Sequence, residues 1–182
     1  MRPQHDDHAA GPDDARQDSV DVLLAQWRTE RPDLDPAPMG VLGRISRAGR
    51  LVEQELAGNF ADHGLQSGEF DILATLRRTG APHRLTAGAL AGSTMVTSGA
   101  ITNRIDRLVA KDLVTRHTDP ENRRSVLITL TGRGKELVDE AVVGHLDREA
   151  GLLETLDPDE QQHLAALLRK LLIGLGDTAA EH

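Results

Sequence analysis

The sequence predicts a mainly α-helical chain that carries one small β-hairpin. Apolar residues recur at helical spacing over most of its 182 residues. One pair of runs, 114–117 and 125–130, is rich in β-branched residues, and a polar loop separates them. The aromatic side chains are Trp27, Phe60 and Phe70, which leaves packing to Leu, Val, Ile and Ala and favours helices over sheets. The length suits one folding unit per chain.

Residues 1–17 mix Pro, Gly, His, Asp and Gln with almost no apolar content and read as a disordered acidic tail. An extra N-terminal helix follows at 18–31, where Val20, Leu23, Leu24 and Trp27 recur at helical spacing and Pro32 closes the segment. Its apolar face is too small to stand alone and must dock elsewhere. Past Pro36 and Pro38, a scaffold helix at 38–64 carries Leu42, Ile45, Gly49, Val52, Leu56 and Phe60 in one stripe and ends near Gly64.

Residues 65–132 form the next lobe. Ser67 caps a helix with inner face Phe70, Leu73, Ala74 and Leu76, and Gly80 with Pro82 stops it. Thr86 opens a short helix containing Leu90 and Ala91. After a turn over 92–96, Thr97 or Ser98 caps another helix with Ile101, Ile105 and Leu108 inward. The hairpin follows as two strands. Over 133–176, Thr131 caps a helix bearing Leu137, Val138, Ala141, Val142 and Leu146 that runs toward Leu156. Asp157-Pro158 then begins a last helix with a seam of Leu164, Leu167, Leu168, Leu171, Leu172 and Leu175.

A lone hairpin is marginal in water, so the helices must hold it while its tip projects. Helix-turn-helix followed by such a hairpin is a winged helix. The Leu seam and the 38–64 helix offer more apolar surface than so small a lobe covers, which predicts a homodimer formed by both chain ends. Packing of those helices within one chain is the alternative.

The net charge is −8, so the chain is no general polycation. Residues 97–135 nevertheless carry 8 Lys and Arg against 4 Asp and Glu, while 136–182 carry 3 against 11. A cationic stretch between acidic ones suits an aimed contact with double-stranded DNA; a solvated charged surface is the other reading. Cysteine is absent, which excludes disulfides, thiolate metal sites and thiol redox chemistry. No apolar run reaches the ~18 residues of a membrane span, and the acidic opening is unlike a signal peptide, so a cytoplasmic protein with no membrane partner is expected. Gly132-Arg133-Gly134-Lys135-Glu136 lacks the spacing and hydroxyl of a phosphate loop, neither a nucleophile elbow nor a zinc-protease motif occurs, and the eight histidines are scattered, so no enzyme and no cofactor are expected.

The expected recognition helix alternates inward Ile with outward Thr97, Ser98, Thr102, Asn103 and Arg107. Thr102, Asn103 and Arg107 offer donors and acceptors to base edges, and Ser98 suits a phosphate or a base. Arg123 and Arg124 stand at the hairpin tip, where a cationic finger enters a minor groove. A capped surface helix followed by a solvated loop is the alternative.

Leu85-Thr86 through Leu108-Val109, followed by Asp119-Pro120-Glu121-Asn122-Arg123-Arg124-Ser125-Val126-Leu127-Ile128-Thr129-Leu130-Thr131, resembles the MarR family of winged-helix transcriptional regulators over about residues 38–175. The resemblance implies a homodimer that reads a palindromic operator, with recognition helices roughly 34 Å apart. Trp27-Arg28-Thr29-Glu30-Arg31-Pro32-Asp33-Leu34-Asp35 and Met39-Gly40-Val41-Leu42-Gly43-Arg44 are similar to the urate-responsive subgroup of PecS-like and HucR-like repressors. That similarity implies ligand residues Trp27, Asp71, Arg104 and Arg116 around a small anionic aromatic ligand, urate or a related purine such as xanthine, in a cleft between the dimer helices and the DNA-binding lobe.

The side-chain chemistry fits: two planar guanidinium groups suit an anionic heterocycle and Trp27 offers a flat wall. Asp71 opposes the anion and is expected to pair with Arg116 until ligand displaces it. Structural readings stand beside these: Trp27 as a staple, Asp71 at a helix N-terminus, Arg104 on phosphate and Arg116 in a surface pair. Another phenolic or aromatic anion, a metal, or a helical interaction dimer without DNA binding are the alternative functions.

Overall fold

A computed structural model of the chain describes residues 16–93 and 101–178. It divides into two compact units, Met1–Glu53 and Gln54–His182. The tail expected over 1–17 lies almost wholly outside the described residues, as do Thr97 and Ser98.

The first unit holds α1 (Ser19–Glu30) and most of α2 (Ala37–Asp62). Asp18 caps α1: its Oδ1 accepts the N–H groups of Val20 at 2.7 Å and Asp21 at 3.0 Å, and Asp21 Oδ2 accepts the Asp18 N–H at 3.0 Å. This reciprocal pair satisfies donors the helix start leaves open. Val20 and Leu24 are the buried residues of α1. They reach α2 because glycines face them: a Cβ on Gly40 would meet Leu24 at 3.3 Å and one on Gly43 would meet Val20 at 3.4 Å. Arg44 completes the docking with Asp18 at 2.9 Å and Asp21 at 2.7 Å.

The second unit contains the end of α2, then α3 (Ser67–Arg78), β1 (Arg84–Thr86), α4 (Ala87–Ser93), α5 (Ile101–Ala110), β2 (Val114–Thr118), β3 (Val126–Leu130), α6 (Gly132–Leu152) and α7 (Pro158–Gly174). The sheet has three antiparallel strands in the order β1-β3-β2, not two. The extra strand is three residues long, too short for its alternation to be legible, and places Leu85 opposite the fully buried Ile128. Gln66, not Ser67, is the N-cap of α3, and α6 stops at Leu152, short of Leu156.

Ile72, Leu73, Leu76, Leu90, Leu108 and Ile128 form the fully buried centre of this unit, with Phe60 stacked on Phe70 at 4.6 Å. Ala74, expected inside, lies at the margin, and Glu69, Ile72 and Thr75 are buried instead. α7 is capped by Asp157, whose Oδ1 accepts from Asp159 at 2.8 Å and Glu160 at 2.9 Å, yet it buries none of its own residues.

Candidate nucleic-acid interface

The sequence of α5 sets its two faces. Ile101, Ile105 and Leu108 turn into the core, while Thr102, Asn103 and Asp106 are exposed. Thr102 and Asn103 therefore stand on the outer face of α5 as short, uncharged hydrogen-bonding groups, the type that reads base edges.

The hairpin between β2 and β3 is closed by its own side chains. Asp119 N–H donates to the Ser125 carbonyl at 3.0 Å, and Ser125 N–H to the Asn122 carbonyl at 2.8 Å. Asp119 Oδ1 accepts from Glu121 N–H at 2.9 Å, and Asn122 Oδ1 from Arg124 N–H at 3.1 Å. These Asx turns fix the tip and leave Arg123 and Arg124 exposed at its end.

Arg107 does not join Thr102 and Asn103. Its Nε donates to Glu69 Oε1 at 3.0 Å and its Nη2 to Gln66 Oε1 at 3.1 Å, so the guanidinium expected at base edges is held by the start of α3. The helical period explains this: Arg104, Arg107 and Lys111 recur at i, i+3 and i+7 on the flank beside α3. Lys111 Nζ donates to Glu69 Oε2 at 2.8 Å and to the Gly64 carbonyl at 2.8 Å. Glu69 also accepts the Gln66 N–H at 2.8 Å, and its side chain is 0% exposed. Burial raises its carboxyl pKa, but hydrogen bonds from Lys111, the Gln66 backbone and Arg107 outweigh that and hold it below the ordinary carboxylate value. Sequence reasoning missed Glu69. A Glu three residues after Gln66 is visible as a capping partner, but its burial under α5 is not.

The four expected ligand residues have separate settings. Trp27, 40% exposed, lines a cleft of about 580 Å³ in the first unit with Val20, Leu23, Met39, Leu42 and Arg47. Asp71 is half-buried on α3 of the second unit. Arg116 Nη1 donates to Asp106 Oδ1 at 2.9 Å, so its carboxylate partner lies on α5, where the sequence suggested Asp71. β2 follows α5 after a short turn, which brings Arg116 back alongside it. Arg104 packs over Gly68, and its Nη1 is buried with no hydrogen-bond acceptor among the described residues.

A small helical lobe that exposes the polar face of one helix and carries a cationic hairpin defines a DNA-binding winged helix-turn-helix. Residues 65–126 match the MarR family. The chain is 39% identical to the transcriptional regulator PecS of Dickeya dadantii over 157 residues, 86% of this chain and 95% of PecS. Among solved structures, an Escherichia coli MarR mutant complexed with operator DNA superposes with a TM-score of 0.65 at 27% identity, over 80% of this chain and 97% of that one. BpsR of Bordetella bronchiseptica, described with regulation of its DNA binding by 6-hydroxynicotinic acid, superposes at 0.66 with 27% identity, over 76% and 94%. The chain belongs to the MarR family: it is a DNA-binding transcriptional regulator, not an enzyme.

Proposed function

We propose that this regulator is a cytoplasmic repressor that binds a palindromic operator as a homodimer and is released by an anionic purine such as urate or xanthine. The ligand reading is carried by Arg104, whose Nη1 is buried without an acceptor among the described residues, on the helix that presents Thr102 and Asn103. An unpaired buried donor costs about 1–3 kcal/mol, more when charged, so an anionic acceptor at Arg104 recovers that loss. The planar fork of guanidinium donors suits a flat anion with adjacent acceptors. By resemblance, Trp27 of the first unit and Asp71 and Arg116 of the second are the further ligand residues of this reading. Because Arg104 belongs to α5, drawing it onto a ligand moves the residues that read DNA, and reciprocity makes operator weaken ligand binding by the same factor, typically ~5 to 150-fold.

Thr102, Asn103, Arg123 and Arg124, with Thr97 and Ser98, are the DNA contacts of this reading. Exposed Met39, Val41 and Leu42 on α2 and Leu167, Leu172, Ile173 and Leu175 on α7 supply the dimer surface. A second reading keeps the same site with another aromatic anion, and the heteroaromatic acid named with BpsR favours it.

The test uses a duplex selected from a random pool by the protein itself. Calorimetric titration with urate, xanthine, 6-hydroxynicotinate and salicylate, with and without that duplex, should show one anion binding the free protein more tightly than the complex. Equal affinities with and without DNA, or no binding by any of the four, would overturn the release mechanism.

A further inference from the structure

We propose that Glu69 is a positioning residue for DNA reading: it touches no DNA, but it fixes the axial rotation of α5 and keeps two cations out of the phosphate field. Its carboxylate is fully buried at the start of α3 and accepts from Arg107 at 3.0 Å, Lys111 at 2.8 Å and the Gln66 N–H at 2.8 Å. Both cations are held a second time, Arg107 by Gln66 Oε1 at 3.1 Å and Lys111 by the Gly64 carbonyl at 2.8 Å. Segment 64–69 thus grips the C-terminal end of α5 by four directional bonds, while Ile101, Ile105 and Leu108 hold its other face by contacts without direction.

Burying an ion pair is a poor route to stability, since apolar residues of similar volume do as well or better. What such a pair supplies is geometry. An apolar residue at 69 leaves α5 free to roll on its Ile and Leu contacts, and Asn103 lies one turn from Arg107, so a roll at one is a displacement at the other. Glu69 also neutralises charge within reach of DNA. Released from it, Arg107 and Lys111 become general phosphate ligands, each adding about 0.9 to the slope of log affinity against log salt.

This gives the proposal a signature that a merely structural residue lacks. Glu69→Gln, nearly isosteric, is expected to bind random duplex more tightly, with a salt slope steeper by about one to two. It should bind the selected duplex less tightly, so that the ratio of specific to non-specific affinity falls at least tenfold. An unchanged ratio and slope alongside a lowered melting temperature would overturn the proposal. Should Glu69→Gln not fold, the triple variant E69L/R107L/K111L removes every charge of the cluster. It is expected to fold and lose the ratio without gaining slope, and retention of wild-type discrimination by that variant would equally overturn the proposal.

Discussion

The guanidinium of Arg104 occupies the place where a side chain at position 68 would begin: a Cβ built on Gly68 lies 2.5 Å from Arg104 Cζ and 2.6 Å from its Nε. Arg104 therefore keeps its buried setting only because residue 68 is glycine. The obstructed group is the far end of a flexible side chain, so it can swing away. Gly68→Ala should cost under about 1 kcal/mol in stability, part of it offset by the better helix propensity of alanine. It should also displace Arg104 and weaken binding of the effector anion at least tenfold. Urea denaturation and calorimetry on the same variant check both; an unchanged ligand affinity would separate Arg104 from the effector site.

Gly134 provides the opposite case. A Cβ there would lie 2.0 Å from the carbonyl oxygen of Leu113, which is backbone and also accepts the Thr131 N–H at 3.1 Å. Nothing can swing aside. Gly134→Ala should destabilise the second unit by about 1–3 kcal/mol or more, the cost of forcing a well-packed contact apart. A chemical denaturation midpoint unchanged from wild type would contradict this packing.

These glycines mark where sequence reading stops. The helices of the described residues were legible because each carries its own evidence: the apolar stripe of α5, the Asp157-Pro158 start of α7, the caps Thr86 and Thr131. The exposed hairpin arginines were legible for the same reason, since a polar loop between two β-branched runs must turn outward. Glu69, Gly68 and β1 were not, because each acquires its role from a segment distant in sequence. Burial of Glu69 needs Arg107 and Lys111, and the third strand needs β3. The pairing of Arg107 with Glu69 was not legible either, because period alone cannot distinguish a polar flank facing solvent from one facing a buried carboxylate.

Glu69 has a second consequence, in acid. Its folded pKa lies below the ordinary value of 4.5, so folding favours the carboxylate. The stabilisation is therefore present above about pH 4.5 and is lost as pH falls through the lower folded pKa. The difference in unfolding free energy between wild type and Glu69→Gln should be constant from about pH 5 to 7 and shrink on further acidification. Asp18, Asp33 and Asp139, whose pKa values are also held down by hydrogen-bonded partners, act equally in both proteins and cancel. A difference that grows towards low pH would reverse the assigned sign.

The wing and the recognition helix should separate affinity from discrimination. Arg124 is exposed at a hairpin tip and its charge is available to any phosphate. Arg124→Ala should weaken binding to selected and random duplexes alike and lower the salt slope by about one. Asn103→Ala removes an uncharged group that the proposed reading places at a base edge, so it should leave the slope intact and relax preference at one operator position by about 1–3 kcal/mol. Gel-shift titrations over a salt series with point-substituted duplexes check both. A slope change in Asn103→Ala, or a change of base preference in Arg124→Ala, would exchange the two roles.

α7 is a 17-residue helix with no buried residue of its own in the described chain. Leu167 is 53% exposed, Leu172 48% and Ile173 55%. A helix that buries none of its own apolar residues on the described chain needs another surface to cover them. In the proposed homodimer a second copy supplies it by symmetry, since the same apolar seam is present on both partners. The wild type should therefore sediment as a dimer at micromolar concentration, and Leu167→Glu with Leu172→Glu should convert it to monomer. Operator affinity should fall at least a hundredfold, because a monomer engages one half-site and loses the effective concentration of the second. The lobe carrying α5 should stay folded, as its core uses neither residue. A dimer of unchanged mass would locate the interface elsewhere on the chain.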